Sequence, residues 1–142
     1  MILFINTSQT DLIQLKLIKN DEVVGQLESR EEYKQSELLL GMIDKIIKNQ
    51  RLKIKDLKLV AIVSGPGAFS ALRLGVATAN ALAWSLKIPI IEVKTSEAED
   101  DETLLKALKE KVFNHQSSSN NHQSSVIIPK YGKEPNITES KK

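Results

Sequence analysis

Residues 64–90 read SGPGAFSALRLGVATANALAWSLKIPI, and their reading decides the fold. The preceding Leu59–Val63 is an unbroken apolar run, the pattern of a strand covered on both faces. It enters the turn Gly65-Pro66-Gly67 and then a helix, Ser70–Leu86, of unusually small residues: Gly75, Ala77, Ala79, Ala81 and Ala83. Ile88-Pro89-Ile90 opens a second strand. A surface helix of a small domain carries charge on its outer face, yet Leu74 to Leu86 contains none. The helix therefore calls for a covering.

Outward from this unit, Ile2–Ile5 is a short continuous apolar run that suits a central strand. Asn6-Thr7-Ser8 reads as a turn. From Asp11 the pattern alternates, Ile13, Leu15 and Leu17 against Gln14 and Lys16, which predicts a half-buried strand. Asn20-Asp21 supplies a two-residue hairpin turn, and Val23–Glu28 returns as the partner strand. Gln35–Asn49 reads as a helix that starts near Ser36. Its Leu38, Leu39, Leu40, Met42, Ile43, Ile46 and Ile47 cover more of the circumference than one sheet face requires. After a charged connection, Arg51–Lys58, comes the strand–turn–helix–strand unit.

Ser96–Phe113 predicts a third helix. Ser96 with Glu99 has the spacing of a capping box, acidic residues fill the first half and lysines the second, and the apolar content is thin. Residues 114–125 contain Asn-His-Gln-Ser-Ser twice and read as a flexible linker. Residues 126–142 form a tail with one apolar stretch, Val126-Ile127-Ile128. The expected organisation is a lobe over 1–95, an added helix over 96–113, the linker and the tail.

Composition narrows the function. At 142 residues the chain fits one domain with a modest core. Aromatics at 4% are too few for base-stacking platforms, and the 20 basic against 18 acidic residues are scattered. Without cysteine there is no disulfide, thiolate catalysis or thiolate metal site. No apolar run has the length of a membrane span or a signal core, so a soluble, cytoplasmic protein is the expectation.

Each candidate motif has a plain structural alternative. Gly65-Pro66-Gly67 before a helix can cradle a phosphate, but it lacks the Lys-Ser/Thr ending of a P-loop. A tight strand-to-helix turn explains it more simply. Asn6 stands where some phosphotransferases hold a catalytic Asp, and it has no charge for a metal ion. His115 and His122 lie in the repeat without a carboxylate or thiol nearby, so no metal site is expected. Arg73 is isolated among apolar residues and fits either a phosphate or a carboxylate within the fold. Trp84 shares a helical stripe with Arg73, Ala77 and Asn80, where it would serve as a hot spot for a partner.

The opening Ile2-Leu3-Phe4-Ile5-Asn6-Thr7-Ser8, the hairpin, the helix after Tyr33-Lys34-Gln35-Ser36 and the run Gly65-Pro66-Gly67-Ala68-Phe69-Ser70-Ala71-Leu72-Arg73-Leu74-Gly75 resemble the TsaB family. The resemblance spans roughly residues 1–93, and the 128–138 segment is also similar to the family's C-terminal end. It rests most on Gly65, Pro66, Gly67, Arg73 and Gly75. It implies an α/β, actin-like ATPase lobe: a mixed sheet of three antiparallel and two parallel strands with helices. The family also implies a second lobe of comparable size, and here a short helix, a repeat and a tail stand in its place. Asn6 replaces the family's usual Asp, and Ala68, Ser70 and Ala71 replace its frequent Ser, Thr and Gly.

What the resemblance implies for function is a non-catalytic subunit in the making of threonylcarbamoyladenosine in tRNA. It would pair through the two helices of this lobe with a TsaD-like transferase, and through that complex with a TsaE-like ATPase. The tRNA would be met only indirectly, and no cofactor is expected. The expected interface is Leu39, Met42, Ile43 and Ile46 with Ala77, Asn80, Ala81 and Trp84. Two alternatives are a reduced nucleotide-binding enzyme using Asn6–Ser8 and Gly65–Gly67, and a homodimer built on the same helices.

Overall fold

A computed structural model describes residues 1–117 and 127–128. Its elements are β1 (Ile2–Asn6), β2 (Leu12–Lys19), β3 (Glu22–Arg30), α1 (Gln35–Asn49), β4 (Leu59–Gly65), α2 (Phe69–Leu86), β5 (Ile90–Lys94) and α3 (Asp101–Ser117). Single 3₁₀ turns precede β4 and follow β5. The five strands form one sheet in the order β3-β2-β1-β4-β5. β1–β2 and β2–β3 pair antiparallel, whereas β1–β4 and β4–β5 pair parallel. This is the expected mixed sheet of three antiparallel and two parallel strands.

The central strand explains the apolar run that opens the chain. Leu3 and Ile5 of β1 face a core shared with Val60, Ile62, Leu39, Ile43, Ile46, Val76 and Ala79 beneath α1 and α2. Phe4 faces the other way, into a second core with Ala61, Val63, Val93, Leu104 and Leu108 beneath α3. Successive side chains of a strand point to opposite faces, so a strand covered on both sides must be apolar throughout.

Asn20 and Asp21 both take positive φ, 54° and 62°, as a two-residue turn between twisted strands requires. α2 ends where Lys87 adopts φ 58°, with its N–H donated to Trp84 O and that of Ile88 to Ala83 O. That pair of bonds closes the last carbonyls of the helix.

Several expectations are corrected. β2 is buried on both faces rather than half-buried, because α3 covers the face that carries Lys16. Lys16 is itself buried and donates to Asp101 on α3. Ser36 is not the start of α1: Lys34 caps it, and the buried Gln35 donates from Nε2 to Gln9 O and Leu12 O, at 2.7 and 2.8 Å. The third helix begins at Asp101, not Ser96. The Lys94 N–H bonds the Glu97 carboxylate to close a 3₁₀ turn, and Asp100 accepts the Thr103 N–H at 2.8 Å. α3 then runs to Ser117, through the first part of the expected linker. Its few leucines suffice, since Leu104 and Leu108 are fully buried. The rest of the linker, 118–125, lies outside the described residues, as does the tail apart from Ile127 and Ile128.

Candidate functional site

Three regions hold most of the residues singled out from sequence: the β1–β2 and β4–α2 turns, the outer face of α2, and α1. In the loop the β1–β2 turn and the Gly65-Pro66-Gly67 turn lie directly against each other. The Ala68 N–H donates to Ser8 O at 2.9 Å. A β-carbon on Gly67 would stand 2.4 Å from that same oxygen, so only glycine fits. One turn into α2, the Thr7 hydroxyl donates to Ala71 O at 2.7 Å. The Thr95 hydroxyl donates to Pro66 O from the far side.

These bonds engage two donors next to the turn, the Ala68 N–H and the Thr7 hydroxyl. Asn6 is buried and held locally: Oδ1 accepts the Ser8 N–H at 3.0 Å and Nδ2 donates to Gln14 Oε1 at 3.2 Å. Among the described residues Arg73 makes no ion pair with a carboxylate. Its guanidinium carbon lies 5.5 Å from the centroid of the Phe69 ring, a cation–π stack at the helix surface. Asn6, the Thr7 hydroxyl and the Ala68 N–H thus each have a partner within the protein. Among the described residues there is also no cluster of three His, Asp or Glu side chains able to hold a metal ion.

The outer face of α2 is different in kind. Ala71, Leu72, Gly75, Val76, Ala79 and Ala83 turn inward, and Arg73, Ala77, Ala81 and Trp84 turn outward. Trp84 is 76% exposed. Asn80 lies at the margin of this arc, half-buried. Beyond Arg73 the helix carries no charge; it covers the sheet with one side and offers solvent a strip of alanine ending in an indole. Large exposed apolar side chains on a strip of small residues mark interaction surfaces.

On α1 the expected interface is corrected. Leu39, Ile43 and Ile46 are at most 3% exposed and belong to the core, because Gln35, Leu39, Ile43, Ile46 and Ile47 form one inward arc at helical spacing. Met42 is half-buried at the edge of that arc. The residue that faces outward is Leu40, 70% exposed and followed by the exposed Gly41. Its position off the 35-39-43-46 track was the available signal. Sequence reasoning also missed Thr7, Gln35 and the Asn80–Ile127 contact, for which no local pattern exists. No helix of the described residues is long and apolar enough to cross a membrane.

Comparison with known proteins agrees with this architecture. The family model for TsaD, tRNA N6-adenosine threonylcarbamoyltransferase, matches residues 29–131. The chain is similar to the tRNA threonylcarbamoyladenosine biosynthesis protein TsaB of Buchnera aphidicola subsp. Schizaphis graminum, at 42% identity over 57 residues, 40% of this chain and 27% of that relative. It is similar to TsaB of Bacillus subtilis at 30% identity over 96 residues, 68% of this chain and 42% of the relative. It is also similar to the tRNA N6-adenosine threonylcarbamoyltransferase of Protochlamydia amoebophila, at 30% identity over 93 residues, covering 58% and 27%. Among solved structures, YeaZ from Pseudomonas aeruginosa superposes with a TM-score of 0.61 at 20% identity, over 66% of this chain and 43% of that one. The family match and that superposition together support the actin-like ATPase-type fold. The chain spans well under half the length of each of these relatives.

Proposed function

The chain belongs to the family described as TsaD, tRNA N6-adenosine threonylcarbamoyltransferase, as a TsaB-type member; from that premise we propose that it is a non-catalytic subunit in threonylcarbamoyladenosine biosynthesis. In this reading it docks a TsaD-type transferase through the outer face of α2, with Leu40 of α1 alongside. A TsaE-type ATPase would join through that complex, tRNA would be met only through the partner, and the setting is the cytoplasm.

One observation carries the reading: an uncharged stretch of helix face, Ala77, Ala81 and Trp84, is left open to solvent, while Leu72, Val76, Ala79 and Ala83 on the other side of the helix are buried. Alanines let a partner helix approach closely, and a tryptophan at their end supplies the large apolar contact that dominates many interfaces. The non-catalytic part of the reading draws on the loop. The Thr7 hydroxyl donates to Ala71 O, the Ala68 N–H is taken by the Ser8 carbonyl, and an amide, Asn6, occupies the place where a carboxylate would hold a metal ion.

Size exclusion with light scattering tests it, for the chain alone and mixed with the TsaD-type protein of the same organism. A one-to-one complex is expected. Absence of a complex at micromolar concentration would overturn the docking role, and a homodimer that persists in the mixture would assign the same face to self-association.

A further inference from the structure

Ile127 is fastened to the middle of α2 by a single side chain. The Asn80 carboxamide donates from Nδ2 to the Ile127 carbonyl oxygen at 2.8 Å, and its Oδ1 accepts the Ile127 N–H at 3.0 Å. An amide that meets both the donor and the acceptor of one residue reproduces the pairing offered by a neighbouring β-strand. It recognises backbone, and side chains on either side decide what the contact displays. The Ile127 side chain is half-buried and packs against the core beneath α1 and α2, whereas Ile128 stands 72% exposed. One residue is the anchor, and the next is presented.

The position of the contact separates two uses for it. Asn80 lies one helical turn from both Ala77 and Trp84. With the segment seated, Trp84 is still 76% exposed, and Ala77 and Ala81 remain open. The segment lies at the margin of the α2 face and leaves the centre free. Ile128, next to the clamped residue, is left 72% exposed.

We infer that Asn80 is a peptide-backbone clamp whose occupant is the chain's own Ile127–Ile128 segment, and that the clamped Ile128 enlarges the surface α2 offers to a partner. The clamp stands on its own geometry; the second half rests on the docking role proposed above. Amide exchange on the full chain, followed by NMR, tests the clamp without any partner. Asn80→Ala should speed exchange at Ile127 about tenfold, the change that losing about 1.4 kcal/mol of local stability brings, while α2 amides keep their rates. Asn80→Asp, which keeps the acceptor and loses the N–H donor, should fall between. Exchange at Ile127 that is equally fast in all three chains would overturn the clamp.

Affinity for the TsaD-type protein tests the second half. Asn80→Ala and Ile128→Ser should each weaken the complex several-fold, the latter with Ile127 still protected. Unchanged affinity would make the segment a bystander, and tighter binding by Asn80→Ala would make it a competitor; either overturns this half. If the unaltered chain forms no complex, the docking role and this half fail together, and the exchange rates still decide the clamp.

Discussion

A β-carbon placed on Gly75 would stand 2.1 Å from Oγ1 of Thr7. The strand-to-helix layer is therefore closed at this point by contact between a helix backbone and a threonine hydroxyl. That same hydroxyl donates to Ala71 O one turn earlier, so it has little freedom to withdraw. Gly75→Ala should destabilise the chain by about 1–3 kcal/mol, the usual penalty for adding a methyl group to a packed site. Thr7→Ala removes the oxygen that the new methyl group meets. In denaturant unfolding the double variant should lose less than the sum of the two single ones, a coupling expected only if the clash is the cause. Strict additivity would place the cost of Gly75→Ala elsewhere.

Lys16 and Asp101 form an unequal pair. The lysine side chain is 6% exposed and its ammonium lies 6.0 Å from the centroid of the Phe4 ring, whereas the aspartate is 52% exposed. Removing the aspartate leaves a buried charge without its carboxylate, while removing the lysine leaves a carboxylate that water can serve. Asp101→Asn should cost about 1–2 kcal/mol, held below the fully buried case by the exposure of the aspartate. Lys16→Met, which keeps the stem against Phe4, should cost less. The reverse order in thermal unfolding would show that the packing of the lysine stem outweighs its charge.

Local pattern made the sheet and the first two helices legible. The apolar run of β1, the Asn20-Asp21 turn and the extent of α1, apart from its first residues, follow from periodicity and turn chemistry alone. Alternation reports polarity and so places Lys16 on the solvent face, whereas the cover over that face comes from α3, eighty-five positions later. The same gap explains Leu39, Ile43 and Ile46. Their hydrophobicity was plain, but the direction of the helix face depends on which sheet it meets. Thr7 with Ala71 and Asn80 with Ile127 join residues far apart in the chain, so nothing in their neighbourhoods foretells them.

Two carboxylates at the entry to α3 give a pH signature. Burial pushes the Glu97 pKa up, but the Lys94 N–H and the nearby Lys111 ammonium together hold it below its ordinary value of 4.5. The Thr103 N–H holds Asp100 below its ordinary 3.8. For an acid whose pKa is depressed by folding, the ionised form stabilises the native state. That contribution is complete above the unfolded pKa and disappears as pH falls through the folded one. Glu97→Gln should therefore lower the thermal midpoint at pH 7. The difference from the unaltered chain should shrink as pH drops below 4.5. A difference that stays constant down to acid pH would mean that Glu97 acts through packing rather than charge.

Surface and core roles on the two helices are separable by one set of variants. Ala77 and Ala81 face outward, so Ala77→Arg and Ala81→Arg have room for the new side chain. Monomer stability should stay within about 0.5 kcal/mol, as for most surface changes. The same changes should abolish the complex with the TsaD-type protein, because a guanidinium would stand where a partner must approach closely. Trp84→Ala should weaken it by about 2 kcal/mol or more, the scale of an interface hot spot, again with little effect on the free chain. Ile43→Ala should do the opposite. At 3% exposure it leaves a cavity under α1 and costs about 2–5 kcal/mol of stability. Whatever remains folded should bind with its affinity intact, because the Ile43 side chain never reaches the surface. Calorimetric titration beside thermal unfolding reads both quantities. An Ile43→Ala chain that folds normally yet cannot bind would return the interface to the inner side of α1, and Arg variants at 77 and 81 that bind normally would remove it from α2.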